Sequence, residues 1–128
     1  MTEHTRDLLL IAIGGASGAV ARHVVGSTVG PAQEGSLPWH TFVVNVSGAF
    51  ALGFIIVLAA RHGWPGWWRP LIGVGLLGGY TTFSALSLET AELLLEGNYA
   101  VGVLYMVVNG VAATVGALVG ILAGRAVT

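Results

Sequence analysis

Cysteine is missing from the 128 residues, and so is lysine: all five basic residues are arginine. The first absence excludes disulfides, thiolate metal sites and cysteine nucleophiles. Charge of either sign is scarce. Charged residues make up 9% of the chain, and five arginines against six acids leave a formal net charge of −1. Ordinary soluble domains carry about 25% charged residues, so a water-facing globule of this size cannot be covered. Nor is there the basic surface that a nucleic-acid-binding protein needs. No set of nucleophile, base or metal ligands converges, which argues against an enzyme. His4, His23, His40 and His62 fall in flanks and loops without metal-site spacing, and are read as interfacial.

What is abundant is apolar surface and glycine. Hydrophobic residues are 55% of the chain, mean hydropathy is +0.82, and 20 residues are glycine. A disordered linker with this much glycine would be polar. Apolar glycine-rich sequence instead suits membrane helices that approach closely through small residues. Four stretches of about 20 apolar residues are each long enough to cross roughly 30 Å of hydrocarbon. They run from about 8 to 26, 41 to 60, 70 to 95 and 99 to 124, and account for residues 1–128 as a single four-helix domain. Gly30, Pro31, Gly35 and Pro38 mark a turn-rich connection after the first, and Glu96, Gly97 and Asn98 a short turn before the last. Trp64, Trp67 and Trp68 between the second and third read as an interfacial aromatic belt.

A signal peptide is a poor reading of the first stretch, because Glu3 and Asp7 accompany Arg6 in its polar flank. A small β-barrel is poor too, since the apolar runs lack period-2 alternation. With four spans, both termini and the 61–69 loop share one side. That side holds Arg6, Arg61, Arg69 and Arg125, against Arg22 on the other. The bias places the N- and C-termini in the cytoplasm.

Gly14 and Gly18 stand four apart on the first helix, with Arg22 and Gly26 continuing the row. Gly116, Gly120 and Gly124 repeat that spacing on the fourth, and both rows are expected to be packing faces. The third span differs. Gly78 and Gly79 are followed by Tyr80-Thr81-Thr82-Phe83-Ser84, and paired glycines and β-branched threonines propagate a helix poorly. A break is expected at Gly78–Gly79. Carbonyls freed there need protein, water or an ion to receive them, and they suit a small cation. The hydroxyls of Thr81, Thr82, Ser84 and Ser87 either line a polar path or bond back to their own helix. Asn45 and Asn109 lie at matched depth as inter-helix glue or ion ligands, while Arg22 and Glu89 are ionisable groups near span ends that mark function or pairing. Together these residues describe a narrow donor-lined route without a buried row of charges. Amides and hydroxyls replace the hydration of a small ion, and aromatic edges face an anion.

Three motifs carry a resemblance over essentially the whole chain. They are Gly14-Gly15-x-x-Gly18-Ala19-x-x-Arg22, then Thr41-x-x-Val44-Asn45-x-x-Gly48-x-Phe50-x-Leu52-Gly53, then Gly75-x-x-Gly78-Gly79-Tyr80-Thr81-Thr82-Phe83-Ser84. In them the chain resembles the Fluc (CrcB-type) fluoride channels. That resemblance implies an antiparallel, dual-topology-type dimer of four-helix subunits in a bacterial or archaeal plasma membrane. It implies two pathways that export fluoride passively and so confer fluoride resistance. It places Asn45, Thr82, Ser84, Tyr105 and Asn109 along the polar pathway and Phe83 in a phenylalanine pair at the pore. It assigns the carbonyls of Gly78 and Thr81 to a central structural Na+ shared by both subunits. Glu89 and Arg22 match further polar positions.

Two positions depart from the family pattern. Leu86 stands where a second phenylalanine is usual, and Asn109 and Ala113 stand at positions usually serine. Together with the arginine bias they suggest one half of a heterodimer, paired with a second family subunit and with one pathway degraded; a homodimer is the alternative. Two other readings compete. A proton-coupled exporter of the small-multidrug-resistance type needs an early membrane carboxylate, and the first helix has only Asp7 at its edge. A non-transporting assembly subunit explains the glycine rows but not the clustered Asn, Thr and Phe.

Overall fold

A computed structural model describes residues 1–30 and 36–128. Among these residues there are helices and no strands, and four spans are long and apolar enough to cross a membrane. The expected connection at Pro31 and Gly35 lies outside the described residues.

Helix α1 covers Glu3–Val29 and begins at Thr2, whose Oγ1 accepts the Thr5 amide at 3.2 Å. Glu3 in its first turn complements the helix dipole. Helix α2 covers Trp39–His62, carries Arg61 and His62 in its last turn, and stops at Gly63. Gly63 adopts the left-handed conformation (φ 60°) that other residues reach only with strain. The third span, Arg69–Leu95, is interrupted. Its first part, α3 (69–80), is wound as a π-helix over Arg69–Leu77 before an α-helical turn at Gly78–Tyr80. Its second part, α4, is Phe83–Leu95, and α5 is Tyr99–Val127. The helices overrun the hydropathy limits by a few residues at most ends. Hydropathy measures the hydrocarbon slab, whereas caps such as Thr2 and Gly63 end the hydrogen-bonded helix beyond it.

The glycine rows do what their spacing implies. A Cβ at Gly14 would lie 2.1 Å from Leu71 O, and one at Gly18 would lie 2.1 Å from Leu76 O, so α1 and α3 run side by side in the same direction. A Cβ at Gly120 would meet Phe50 O at 2.2 Å, and one at Gly53 would meet Ala117 O at 2.3 Å, which seats α5 backbone-to-backbone along α2. Without water inside the bilayer, such close packing replaces the hydrophobic drive as the source of helix association. Helix α4 closes the bundle through Leu86 and Leu93 against Tyr105 of α5.

These pairings bring the start of α1, the end of α2, the start of α3 and the end of α5 to one end of the bundle. Arg6, Arg61, Arg69 and Arg125 are therefore neighbours in depth, with Trp64 and Trp68 in edge-to-face contact beside them (centroids 6.3 Å apart). Arg22, His23, His40 and Glu89 mark the other end.

The break itself is a correction. Gly78 and Gly79 are helical, and the chain leaves the helix at Thr81 (ψ 156°) and Thr82 (φ −151°, ψ 119°). Gly79 serves α1 instead, since a Cβ on it would sit 2.6 Å from Gly15 O, whereas one on Gly78 would meet only Gly73 O at 3.8 Å. In a packed membrane helix, glycine is retained for approach, whereas two β-branched residues with a hydroxyl to cap the next helix favour the extended backbone.

Candidate functional site

Breaking a helix in the membrane frees amides and carbonyls that must find partners. Asn45 of α2 supplies them. Its Oδ1 accepts the Thr82 amide at 2.8 Å, and its Nδ2 donates to Thr82 O at 3.0 Å and to Asn109 Oδ1 of α5 at 3.2 Å. One side chain thus splints the break and ties α2, α4 and α5 together. Thr82 caps α4, its Oγ1 accepting the Ala85 amide at 3.1 Å. Both contacts divert amides that a continuous helix would deliver to the carbonyls of Gly78 and Thr81, four residues earlier. Those two carbonyls are left without their helical donors. Gly48 makes room for the turn, since a Cβ there would lie 2.3 Å from Thr81 Cγ2.

A turn away lies a second tier. Thr41 is four residues before Asn45 on α2, and Tyr105 four before Asn109 on α5, so each pair shares a helix face. Glu89 of α4 bridges them: its Oε1 accepts from Thr41 Oγ1 at 2.7 Å and meets His40 Nε2 at 3.1 Å, and its Oε2 accepts from the Tyr105 hydroxyl. The carboxylate is 15% exposed and has three donors, which offsets the cost of placing it near the end of a span.

Two cavities flank this strip. One, of about 620 Å³, lies at the Arg22 end and is bounded by Arg22, His23, His40, Thr41 and Thr82. The other, about 370 Å³, is bounded by Asn45, Gly78, Thr81, Thr82, Phe83 and Asn109. Thr82 lines both. Asn109 is 1% exposed, and its Nδ2 has no acceptor among the described residues. Within one chain, then, polar donors run from one cavity to the other with no fixed cation among them. Arg22 stands in the wide cavity and pairs with no acid among the described residues.

The proposed pathway residues do not all converge. Asn45, Thr82 and Asn109 are joined by hydrogen bonds, and Glu89 and Tyr105 form the second tier. Phe83 borders the smaller cavity but is 73% exposed on the outside of the chain. Leu86, three residues on, borders the same cavity, yet it is 3% exposed and packed with Leu93 and Tyr105. Ser84 is exposed and reaches only the Thr82 hydroxyl at 3.2 Å. Thr81 and Ser87 bond back to Leu77 O and Phe83 O, as hydroxyls in helices often do.

His40, at the interfacial end of its span, lies in the first turn of α2 rather than in a loop and meets Glu89. Thr41, too, joins the cluster, through its hydrogen bond to Glu89. The signal in the sequence was the pair of four-residue steps, Thr41 to Asn45 and Tyr105 to Asn109, on two helices whose glycines hold them together.

The chain resembles known proteins over nearly its full length. It is 43% identical to "Fluoride-specific ion channel FluC 2" of Nocardia farcinica, the match covering 92% of this chain and 84% of that protein. It is 38% identical to "Fluoride-specific ion channel FluC" of Caulobacter sp. strain K31, covering 92% and 94%. A third relative, "Fluoride-specific ion channel FluC 1" of Leifsonia xyli subsp. xyli, is 41% identical over 76% of this chain and 71% of its own. A family model described as "CrcB-like protein, Camphor Resistance (CrcB)" matches residues 9–121, which takes in the glycine rows up to Gly120, the break and both tiers of the site. The chain belongs to the CrcB family of multi-pass membrane proteins.

Proposed function

We propose that the chain is a subunit of a fluoride-selective channel that lets the ion leave down its gradient. The observation that carries this reading is the strip of amide and hydroxyl groups, with no fixed cation among them, that links two cavities in a family whose relatives are named for fluoride. A small, strongly hydrated anion needs close N–H and O–H donors in place of water. Asn109 Nδ2, which has no acceptor among the described residues, is a donor of that kind beside Asn45 and Thr82, and it does not bind an anion so tightly that it stays. Arg22 and His23 in the wider cavity draw the anion toward the entrance, and the role is conduction without bond-making.

The reading extends to an antiparallel dimer. The smaller cavity is open where Phe83 projects outward, and a partner laid against that face closes it and turns the exposed ring toward a pathway. The carbonyls of Gly78 and Thr81 suit a Na+ at the dimer centre, because the amides that would cover them are taken by Asn45 and Thr82. Bound there, Na+ supplies a fixed positive charge that holds the broken ends of two chains. The arginine bias favours one orientation, termini in the cytoplasm of a bacterium or archaeon. The partner is then a second family subunit of opposite bias rather than a copy of this chain.

Fluoride efflux from liposomes tests the reading. Efflux with little chloride leakage is expected from the chain combined with a second family subunit, and Phe83→Ala is expected to slow it by about tenfold, equivalent to about 1.4 kcal/mol at the barrier. Efflux through chloride as readily as fluoride would overturn selectivity. Full efflux from the chain alone would overturn the obligate heterodimer and leave the channel standing.

A further inference from the structure

The larger cavity, about 620 Å³, is far roomier than a single monatomic anion needs, and its wall is uneven. Arg22 is the one permanent cation on it, while Ala19, Val44, Gly26 and Ala85 make much of the rest apolar. The hydroxyls of this wall are already engaged. Thr41 donates to Glu89, Ser27 donates to His23 O, and Thr82 Oγ1 accepts the Ala85 amide. Arg22 differs: it has no hydrogen bond or ion pair among the described residues, so its N–H groups are all unused.

Depth follows from the packing of α1. A Cβ at Gly18 would lie 2.8 Å from the Tyr80 amide nitrogen, which puts Ala19 at the level of the break. Arg22 is three residues on, about 4.5 Å nearer the end marked by Ser27 and Gly30. A ligand held by Arg22 therefore stands one turn outside the break. It lies on the approach to Thr82, the residue that both cavities share.

The chemistry of that ligand follows from the wall. A guanidinium holds its donors in one plane, as a fork that pairs with two oxygens at once. A carboxylate matches the fork, whereas a single fluoride ion does not. One permanent cation matches one negative charge. A second charge would meet the Glu89 carboxyl group, which lies just behind Thr41 and His40. The apolar wall adds a preference for an apolar body behind the carboxylate.

We infer that the larger cavity is a binding site for small monocarboxylates with an apolar body, held by the fork of Arg22, and that a bound carboxylate obstructs fluoride. The binding stands on this cavity alone; the obstruction rests on the fluoride-channel reading.

Two measurements test it, with benzoate as the probe. Fluoride efflux through the channel complex is measured at about pH 7.5, where carboxylic acids are ionised, with benzoate on both sides and the protein-free rate subtracted. Each variant is compared with its own benzoate-free rate. Benzoate at about 10 mM is expected to slow wild-type efflux about threefold, and formate, which has no apolar body, to need about tenfold more for the same effect. Arg22→Lys keeps the charge and loses the fork, and most of the block should go with it. In His62→Gln, at the far end of α2, the block should persist. Full block in Arg22→Lys, or formate as effective as benzoate, overturns the inference. The second measurement needs no transport. In the ¹⁵N-arginine side-chain spectrum of the labelled chain in bilayers, benzoate should move the signal that Arg22→Lys removes and leave those of Arg61, Arg69 and Arg125 in place. No movement, or equal movement of all of them, overturns the inference. The absence of fluoride efflux without benzoate would instead count against the channel reading, and the spectrum then decides the carboxylate site by itself.

Discussion

Replacing Asn45 with leucine is expected to abolish fluoride flux and to destabilise the fold together. The substitution removes three hydrogen bonds at once and leaves the amide and carbonyl of Thr82 without side-chain partners. In water-soluble proteins an orphaned buried group costs about 1–3 kcal/mol. Inter-helix hydrogen bonds in membranes average nearer 0.6 kcal/mol, with about 1.7 at the upper end. Three such bonds around one break place the loss at about 2–4 kcal/mol, readable as earlier unfolding in a detergent titration. Asn45→Asp separates the roles. It keeps the acceptor for the Thr82 amide, loses the donor toward Thr82 O and Asn109, and puts a negative charge on the anion's route. It should fold better than the leucine variant and conduct no better. Wild-type flux through Asn45→Asp would remove this side chain from the pathway.

Gly120→Ala is the second change with a large expected effect, and two opposing terms decide it. Alanine favours helix by about 0.8–1.0 kcal/mol over glycine. Against that, the new Cβ would lie 2.2 Å from Phe50 O and 3.0 Å from Phe54 N, both backbone atoms that cannot rotate away. Relief requires α5 to retreat from α2 along a seam also held at Gly53 and Gly124. Overpacking of this kind costs about 1–3 kcal/mol or more, so the clash wins. Both tiers of the site span this seam, and its widening should stretch the Asn45–Asn109 bond and the grip of Thr41 and Tyr105 on Glu89. A several-fold loss of folded protein on size-exclusion chromatography and a loss of flux are expected. Gly110→Ala on the same helix meets nothing within 4 Å and should leave the folded yield intact or improve it. Equal behaviour of the two variants would deny the close approach.

Those two residues also measure how far the sequence could be read. Four spans were legible because length and hydropathy alone set them, and the rows at Gly14 and Gly116–Gly124 were legible because a four-residue period has one meaning on a helix. The break was legible in kind but displaced in position. Gly78 and Gly79 propagate a helix poorly, yet at Gly79 propensity was overridden by the closeness of α1, and the chain opened at Thr81–Thr82. The link between Asn45 and Asn109 was foreshadowed by their depth. The Glu89 cluster was foreshadowed only by the four-residue steps from Thr41 to Asn45 and from Tyr105 to Asn109, because its members come from three helices and their meeting depends on rotation about each axis. His40 was hidden for the same reason: one residue inside a helix start, it looks like any interfacial histidine until α4 is placed against it.

The π-helical winding of Arg69–Leu77 has a consequence for how this segment tolerates change in length. In it, residues five apart share a face, which is how Leu71 and Leu76 both come to lie against Gly14. An α-helix puts residues four apart in that relation. The segment therefore carries a surplus residue, and removing exposed Val74 lets it rewind as α-helix with its neighbours still against α1. The same removal from α5 has no such reserve: every later glycine would turn away from α2 by about 100°, one residue's rotation in an α-helix.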